Sequence, residues 1–222
     1  MIESRRQMMH ANIGAGGNIN DYIQDGLIFM LDGIDKGTDD GNWIDLIGGM
    51  LFTNYGAVKT DSGFVFNGAE YMLGQSGVVY DSSIYTIEIC MNPYIKGNWV
   101  LCTPSVNGYY EGFSVCISGN RIFYRKENSE CYSYEAKGNV TISMNTSTCF
   151  CNFIKQSKGL KDIFSDRNVW VLGGRSGYPT PTTPRSLFNG EIYAVRIYNR
   201  TLNAEEMLNN QLIDNERFKL GL

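Results

Sequence analysis

The sequence predicts an all-β fold, with two antiparallel sheets stacked as a sandwich or jelly roll and one short helix at the C-terminus. Three observations carry this. Apolar and polar residues alternate in many short segments, the pattern of strands with one face on a core and one more polar. The 222 residues include 25 Gly, 14 Tyr and 11 Phe, a mixture suited to short strands joined by tight turns. No helical period of three or four turns occurs ahead of the C-terminus, and there is no strand–helix–strand rhythm of a parallel sheet.

The elements follow in order. Residues 1–24 stand apart: "MIESRRQMMHANIGAGGN" sets Arg5, Arg6, Met8 and Met9 ahead of a Gly-rich hinge, and is read as an anchor or linker before a domain spanning residues 25–222. From Gly26 the period becomes two. "GLIFMLDG" is a short apolar strand ending in a turn. "GFVFNGAEYML" puts Phe64 and Phe66 on one face and turns at Asn67-Gly68. "YTIEICMNP" puts Tyr85, Ile87, Ile89 and Met91 on one face, with Thr86, Glu88 and Cys90 on the other. "FSVCISGNRIFYRK" is a hairpin, because Gly119-Asn120 supplies the positive φ angles of a two-residue turn. "NVTISM", "TCFCNFI" and "NVWVLGG" continue the pattern. The helix begins after Asn203, an N-cap whose capping box closes at Glu206, with Leu202 placed to staple onto Met207.

Bulk properties exclude several classes. With 19 basic and 23 acidic residues, a net charge of -4 argues against nucleic-acid binding, which rests on Lys and Arg. No run of about 18 apolar residues predicts a membrane helix. The basic pair near the start is followed by no apolar stretch, so no secretory signal is expected and the chain is expected to be made in the cytoplasm. The sequons at Asn139, Asn145 and Asn199 then carry no meaning. The cysteines at 90, 102, 116, 131, 149 and 151 form no CxxC pair and lie mostly in apolar strands. They read as reduced, buried thiols, with disulfides left open by their even number.

The closing segment "GEIYAVRIYNRTLNAEEMLNN" resembles the last strand and helix of laminin-G-like domains of the concanavalin A-like lectin/glucanase superfamily. "GLIFMLDG", "WIDLIGG" and "FVFNGAEYML" followed by "YTIEICMNP" match further segments of that family in the expected order, so the likeness spans about residues 22–215. It implies a jelly roll of two antiparallel sheets, and it implies no particular ligand. The leader with the first strand also resembles a group of phage and prophage structural proteins that carry a lectin-like domain behind a short anchor.

Catalytic chemistry is not legible. Glucanases on this scaffold carry E-x-D-x-E on one strand, which puts an acid and a nucleophile on one face. Here Glu88 has only Thr86 and Cys90 beside it, and Glu70 and Glu191 are also solitary. The only histidine, His10, lies in the leader, a poor place for a rigid base. Asp32, Asp35, Asp39 and Asp40 in "LDGIDKGTDDGNW" offer oxygen ligands for Ca²⁺, although the plainer reading is a solvated Asp/Gly turn. Two loops have the chemistry of recognition: "VNGYYEG" with Tyr109 and Tyr110, and the proline-stiffened "GGRSGYPTPTTPRS" with Arg175, Tyr178 and Arg185. Aromatic faces stack on sugar C–H groups, and adjacent polar groups take the hydroxyls.

The expected function is therefore a non-enzymatic structural component of a bacteriophage virion: a capsid decoration, head fibre or tail-associated protein. Residues 1–24 would dock it to other virion proteins, and the jelly roll would display a surface for a cell-surface glycan or pack against neighbouring copies. The alternatives are a bacterial carbohydrate-binding lectin module and a degenerate glycoside hydrolase-like domain.

Overall fold

Local sequence chemistry sets the strands, and their two faces decide how they stack. The computed structural model describes residues 18–35, 40–75, 86–94, 99–104, 111–118, 121–126, 129–135, 138–145, 147–156, 169–175 and 184–222. The strands are numbered along the chain. One sheet contains β1 (Leu27–Asp32), β4 (Val58–Lys59), β5 (Phe64–Asn67), β7 (Thr86–Pro93), β12 (Val140–Asn145), β13 (Cys149–Cys151), β14 (Ile154–Gln156) and β16 (Asn189–Tyr198). The other contains β2 (Trp43–Ile44), β3 (Leu51–Tyr55), β6 (Tyr71–Gln75), β8 (Trp99–Pro104), β9 (Glu111–Ser118), β10 (Arg121–Lys126), β11 (Ser129–Glu135) and β15 (Val169–Leu172). The first runs β14-β13-β12-β7-β16-β5-β4, with β1 also on β16; the second runs β11-β10-β9-β8-β15-β6-β3-β2. Every pairing is antiparallel. The fold is the two-sheet antiparallel sandwich that the alternation predicts. Ser118 pairs directly with Arg121, the register of a two-residue hairpin, although residues 119 and 120 lie outside the described residues.

Between the sheets lies an aromatic core. Phe29 of β1 stacks on Trp170 of β15, with ring centres 5.4 Å apart, and meets the edge of Phe52 of β3 at 5.9 Å. Phe64 and Phe66 both point into it, as their shared face requires, and Ile87, Ile89 and Met91 do the same from β7.

One point of backbone crowding organises the first sheet. The edge of β16 away from β7 is shared by two strands laid end to end: residues 189–192 pair with β5, and 194–198 with β1. Tyr193 is the residue between, and the register against β7 shifts there as well. Gly33, just past β1, donates its N–H to the Tyr193 carbonyl at 2.7 Å. Gly63, just before β5, lies against the Ile192 carbonyl, and a Cβ on either glycine would overlap backbone oxygen.

The outer, polar face of the first sheet is not solvated. Thr86 through Met91 are all buried, because helix α1 (Ala204–Arg217) and the segment before β1 lie over that face. Alternation marked Thr86 and Glu88 as polar, and their partners come from elements far away in sequence. Residues 18–24, the end of the expected leader, pack into the domain: Asn18 caps a short 3-10 turn (Ile19–Asp21), and Tyr22 is 2% exposed. Arg5, Arg6, Met8 and Met9 lie outside the described residues.

The predicted helix start is present. The Asn203 side chain accepts from the N–H groups of Glu205 and Glu206 at 2.9 and 3.0 Å, and Glu206 accepts from the Asn203 N–H at 2.8 Å. Leu202 and Met207 share one apolar cluster. Arg200 hydrogen-bonds Glu206 through Nη2 at 2.8 Å and, with the Asn203 N–H, holds its carboxyl below the ordinary 4.5, although burial opposes them. A depressed carboxylate contributes stability above its unfolded pKa and loses it as pH falls through the folded value. Glu206→Gln is therefore expected to cost about 1 kcal/mol near neutral pH, with the difference from wild type shrinking as pH falls through the depressed folded value. Urea denaturation at a series of pH values measures this.

Candidate functional site

The strongest polar constellation joins α1 to the first sheet. Arg196, Glu88 and Ser143 stand in register across β16, β7 and β12. Arg196 Nε donates to Glu88 at 2.8 Å, and its Nη1 and Nη2 donate to the two oxygens of Asp214 on α1, both at 2.8 Å. Glu88 also accepts from Ser143 Oγ at 2.7 Å and Asn210 Nδ2 at 2.8 Å. Asp214 accepts from Thr141 Oγ1 at 2.7 Å and Tyr22 Oη at 2.9 Å. The Tyr22 ring lies under the Arg196 guanidinium, 4.1 Å from ring centre to Cζ. Glu88 thus shares its arginine with a second carboxylate that sequence reasoning did not pair with it. Burial pushes the Glu88 carboxyl upward and Arg196 opposes this. Both Glu88 and Asp214 are 0% exposed, and the donors above engage all four of their oxygens. The cluster therefore offers no open carboxylate to a substrate; it holds the helix on the sheet.

The other acidic candidates also have protein partners. The Asp32 carboxylate takes Nε and Nη2 of Arg217, both at 2.9 Å, and Asp35 takes Nη2 at 2.7 Å. Asp40 takes the N–H and side-chain amide of Asn42 at 3.0 and 2.9 Å. Asp39 lies outside the described residues. Asp32 is thus bound to an internal cation, and among the described residues no three His, Cys, Asp or Glu side chains gather as metal ligands. Glu191 accepts from Thr60 Oγ1 at 2.7 Å, and Glu70 accepts from the N–H groups of Asn67 and Ala69. Cys90, Cys102, Cys116, Cys149 and Cys151 are buried and form no disulfide with one another.

The opposite side of the molecule, the outer face of the second sheet, carries different chemistry. Phe52, Met72, Trp170 and Leu172 point into the core, so the period of two turns Tyr55, Tyr71, Leu73 and Val171 outward. Tyr55 and Tyr71 are paired residues of β3 and β6, and their rings stack at 4.8 Å and 16°. Leu73, Val171 and Cys102 form a buried row across β6, β15 and β8, against which the partly buried Tyr71 and Trp99 pack. The Arg175 guanidinium lies over Trp99, 5.3 Å from the ring centre. The Trp99 Nε1–H is buried without a hydrogen-bond partner.

Two predicted recognition residues meet here. Arg175 and Arg185 are directly opposite in an isolated antiparallel bridge, each N–H donating to the other's carbonyl at 2.8 Å. The Trp99 N–H donates to the Ser186 carbonyl at 3.2 Å, which fixes the bridge beside the tryptophan. Tyr109, Tyr110 and Tyr178 lie outside the described residues. Sequence reasoning missed Trp99, Tyr55 and Tyr71. The available signal was their alternation with Phe52 and Met72, which places both tyrosines outward.

Fold and surface together define a two-sheet β-sandwich, consistent with the concanavalin A-like resemblance of the sequence, with one side sealed by a helix and an aromatic row on the other. No protein-family model matches the chain, and no curated protein does. Among solved structures the chain is similar to Trypanosoma rangeli sialidase in complex with sialic acid, at 12% identity over 94% of this chain, with a TM-score of 0.66. It is likewise similar to that sialidase with the inhibitor DANA, at 11% identity over 95% of this chain and a TM-score of 0.63. A third likeness is to the botulinum neurotoxin serotype D/C VPI 5993 binding domain, at 14% identity over 84% of this chain and a TM-score of 0.59. The chain spans 37% of each sialidase chain and 52% of the toxin chain. At such identities the likeness establishes the sandwich fold.

Proposed function

We propose that the chain is a non-catalytic β-sandwich module that binds carbohydrate through the outer face of its second sheet. The carrying observation is the Tyr55–Tyr71 stack, with Tyr55 47% exposed, and the Trp99–Arg175 pair on the same face. Pyranose rings present C–H faces to π surfaces, and their hydroxyls need donors and acceptors of the kind the tyrosine hydroxyls and the arginines provide. The sialidase structures of similar fold are complexes with sialic acid and with DANA, and the toxin structure is of a binding domain. Those properties belong to those proteins, and they make saccharides the first ligands to test here. The finer reading, a structural component of a phage virion docked through residues 1–24, is supported by the resemblance of the leader and by the expected lack of a secretory signal.

A glycan array followed by calorimetry tests the reading. Tyr55 is 47% exposed, so Tyr55→Ala is expected to fold normally and to weaken saccharide binding about tenfold, with Tyr71→Ala similar. Binding unchanged in both variants, or no binding of any glycan by the wild type, overturns the proposal.

A further inference from the structure

We infer that Ser143 and Gln211 close an internal ester, formed by the protein on itself, that ties β12 to α1. The inference is independent of the saccharide reading and concerns the opposite side of the molecule. Three groups with different chemistry meet at Ser143. Its Oγ donates to Glu88 Oε1 at 2.7 Å, so a hydroxyl nucleophile rests against a base. Arg196 and Asn210 occupy the other oxygen, Glu88 Oε2, which keeps Oε1 turned to the serine. The same Oγ accepts from Gln211 Nε2 at 3.3 Å, so the amide carbon, one C–N bond away, is no farther from it than about 4.6 Å. A reacting pair needs about 3–3.5 Å, and a turn of the glutamine amide covers the remaining ~1 Å.

Gln211 is gripped as an acyl donor should be. Its Oε1 accepts from the Phe153 N–H at 2.8 Å, and its Nε2 donates to the Phe150 carbonyl at 3.0 Å. Asn152 has a φ of 47° and Phe153 one of 67°, a left-handed turn that a bulky aromatic rarely adopts. That turn aims the Phe153 N–H at the oxygen on which charge would develop. Ser143, Gln211 and Glu88 are all 0% exposed, so water is kept from the ester once it forms. Burial also pushes the Glu88 carboxyl upward against the pull of Arg196, which strengthens it as a base. The step balances without a co-reactant. Glu88 Oε1 takes the Ser143 proton, Oγ bonds to Gln211 Cδ, and the oxyanion forms on Gln211 Oε1. Glu88 then gives the proton to Nε2, the Cδ–Nε2 bond breaks, and ammonia leaves.

Tryptic peptide mapping of the folded wild-type protein, incubated at neutral pH to constant mass, tests this. Cleavage after Lys137, Lys155, Arg200 and Arg217 puts Ser143 in residues 138–155 and Gln211 in residues 201–217. One joined species is expected, lighter by one ammonia than the two peptides together, with fragment ions placing the link at Ser143 and Gln211. Mild alkaline hydroxylamine is expected to part it, since it cleaves esters and leaves amides. Ser143→Ala is expected to give the two peptides separately. Separate peptides of full mass from the wild type overturn the inference whatever the variant does. A joined species that resists hydroxylamine, or that persists in Ser143→Ala, overturns it as well.

Discussion

Arg196→Ala is expected to destabilise the domain by about 3–5 kcal/mol, the cost of leaving buried charge without its partner. The arginine is 1% exposed and is the cation shared by Glu88 and Asp214, both 0% exposed. Removing it leaves two carboxylates facing each other with only hydroxyl and amide donors, and it removes the surface on which Tyr22 stacks. The loss therefore falls on the contact between α1, the segment before β1 and the first sheet. Urea denaturation measures it; a cost below about 1 kcal/mol would mean that water enters the layer and replaces the guanidinium. A companion variant sharpens the result. Replacing Glu88, Arg196 and Asp214 together by Leu, Met and Leu is expected to recover part of the stability, because the desolvation penalty of all three charges disappears.

Gly63→Ala is expected to be as damaging, by about 3 kcal/mol or more, and for a different reason. Gly63 has no positive φ, so backbone strain plays no part. The new Cβ would overlap the Ile192 carbonyl oxygen, a backbone atom of β16 where β5 pairs with it. Gly41→Ala is the control. Gly41 has a φ of 87° and open space where a Cβ would go, so only the left-handed strain of about 1–2 kcal/mol applies. Equal costs at the two sites would show that conformation, and not the junction at Tyr193, governs this edge.

How far the sequence could be read depends on how local each signal is. The hairpin at Ser118 and Arg121, the inward Phe64 and Phe66, and the Asn203–Glu206 box each depend on residues within a few positions, and each was legible. The polar layer was not, because its partners are remote. Glu88 reads as a solvent-facing residue until Arg196 and Asp214, which lie 108 and 126 positions further on, are brought over it by β16 and α1. Of the candidate site, Arg175 and Arg185 draw notice in the sequence through an unusual loop, whereas Tyr55, Tyr71 and Trp99 sit in ordinary strands where alternation gives an outward direction but no neighbours. Only the sheet pairing reveals that three outward residues from separate strands make one row.

Tyr22 has a mechanical meaning as well as an energetic one. A pull applied ahead of Asn18 would, without it, reach β1 at its Leu27 end and peel the strand from β16 one bond at a time. With it, the load first meets the Tyr22–Asp214 bond, the ring against Arg196, and the Ile23 N–H on Asn210 at 3.1 Å. Force then passes into the helix and three strands at once, on the side of the sandwich opposite the aromatic row. A domain loaded from that end would keep the outer face of its second sheet turned away from the load and under no tension.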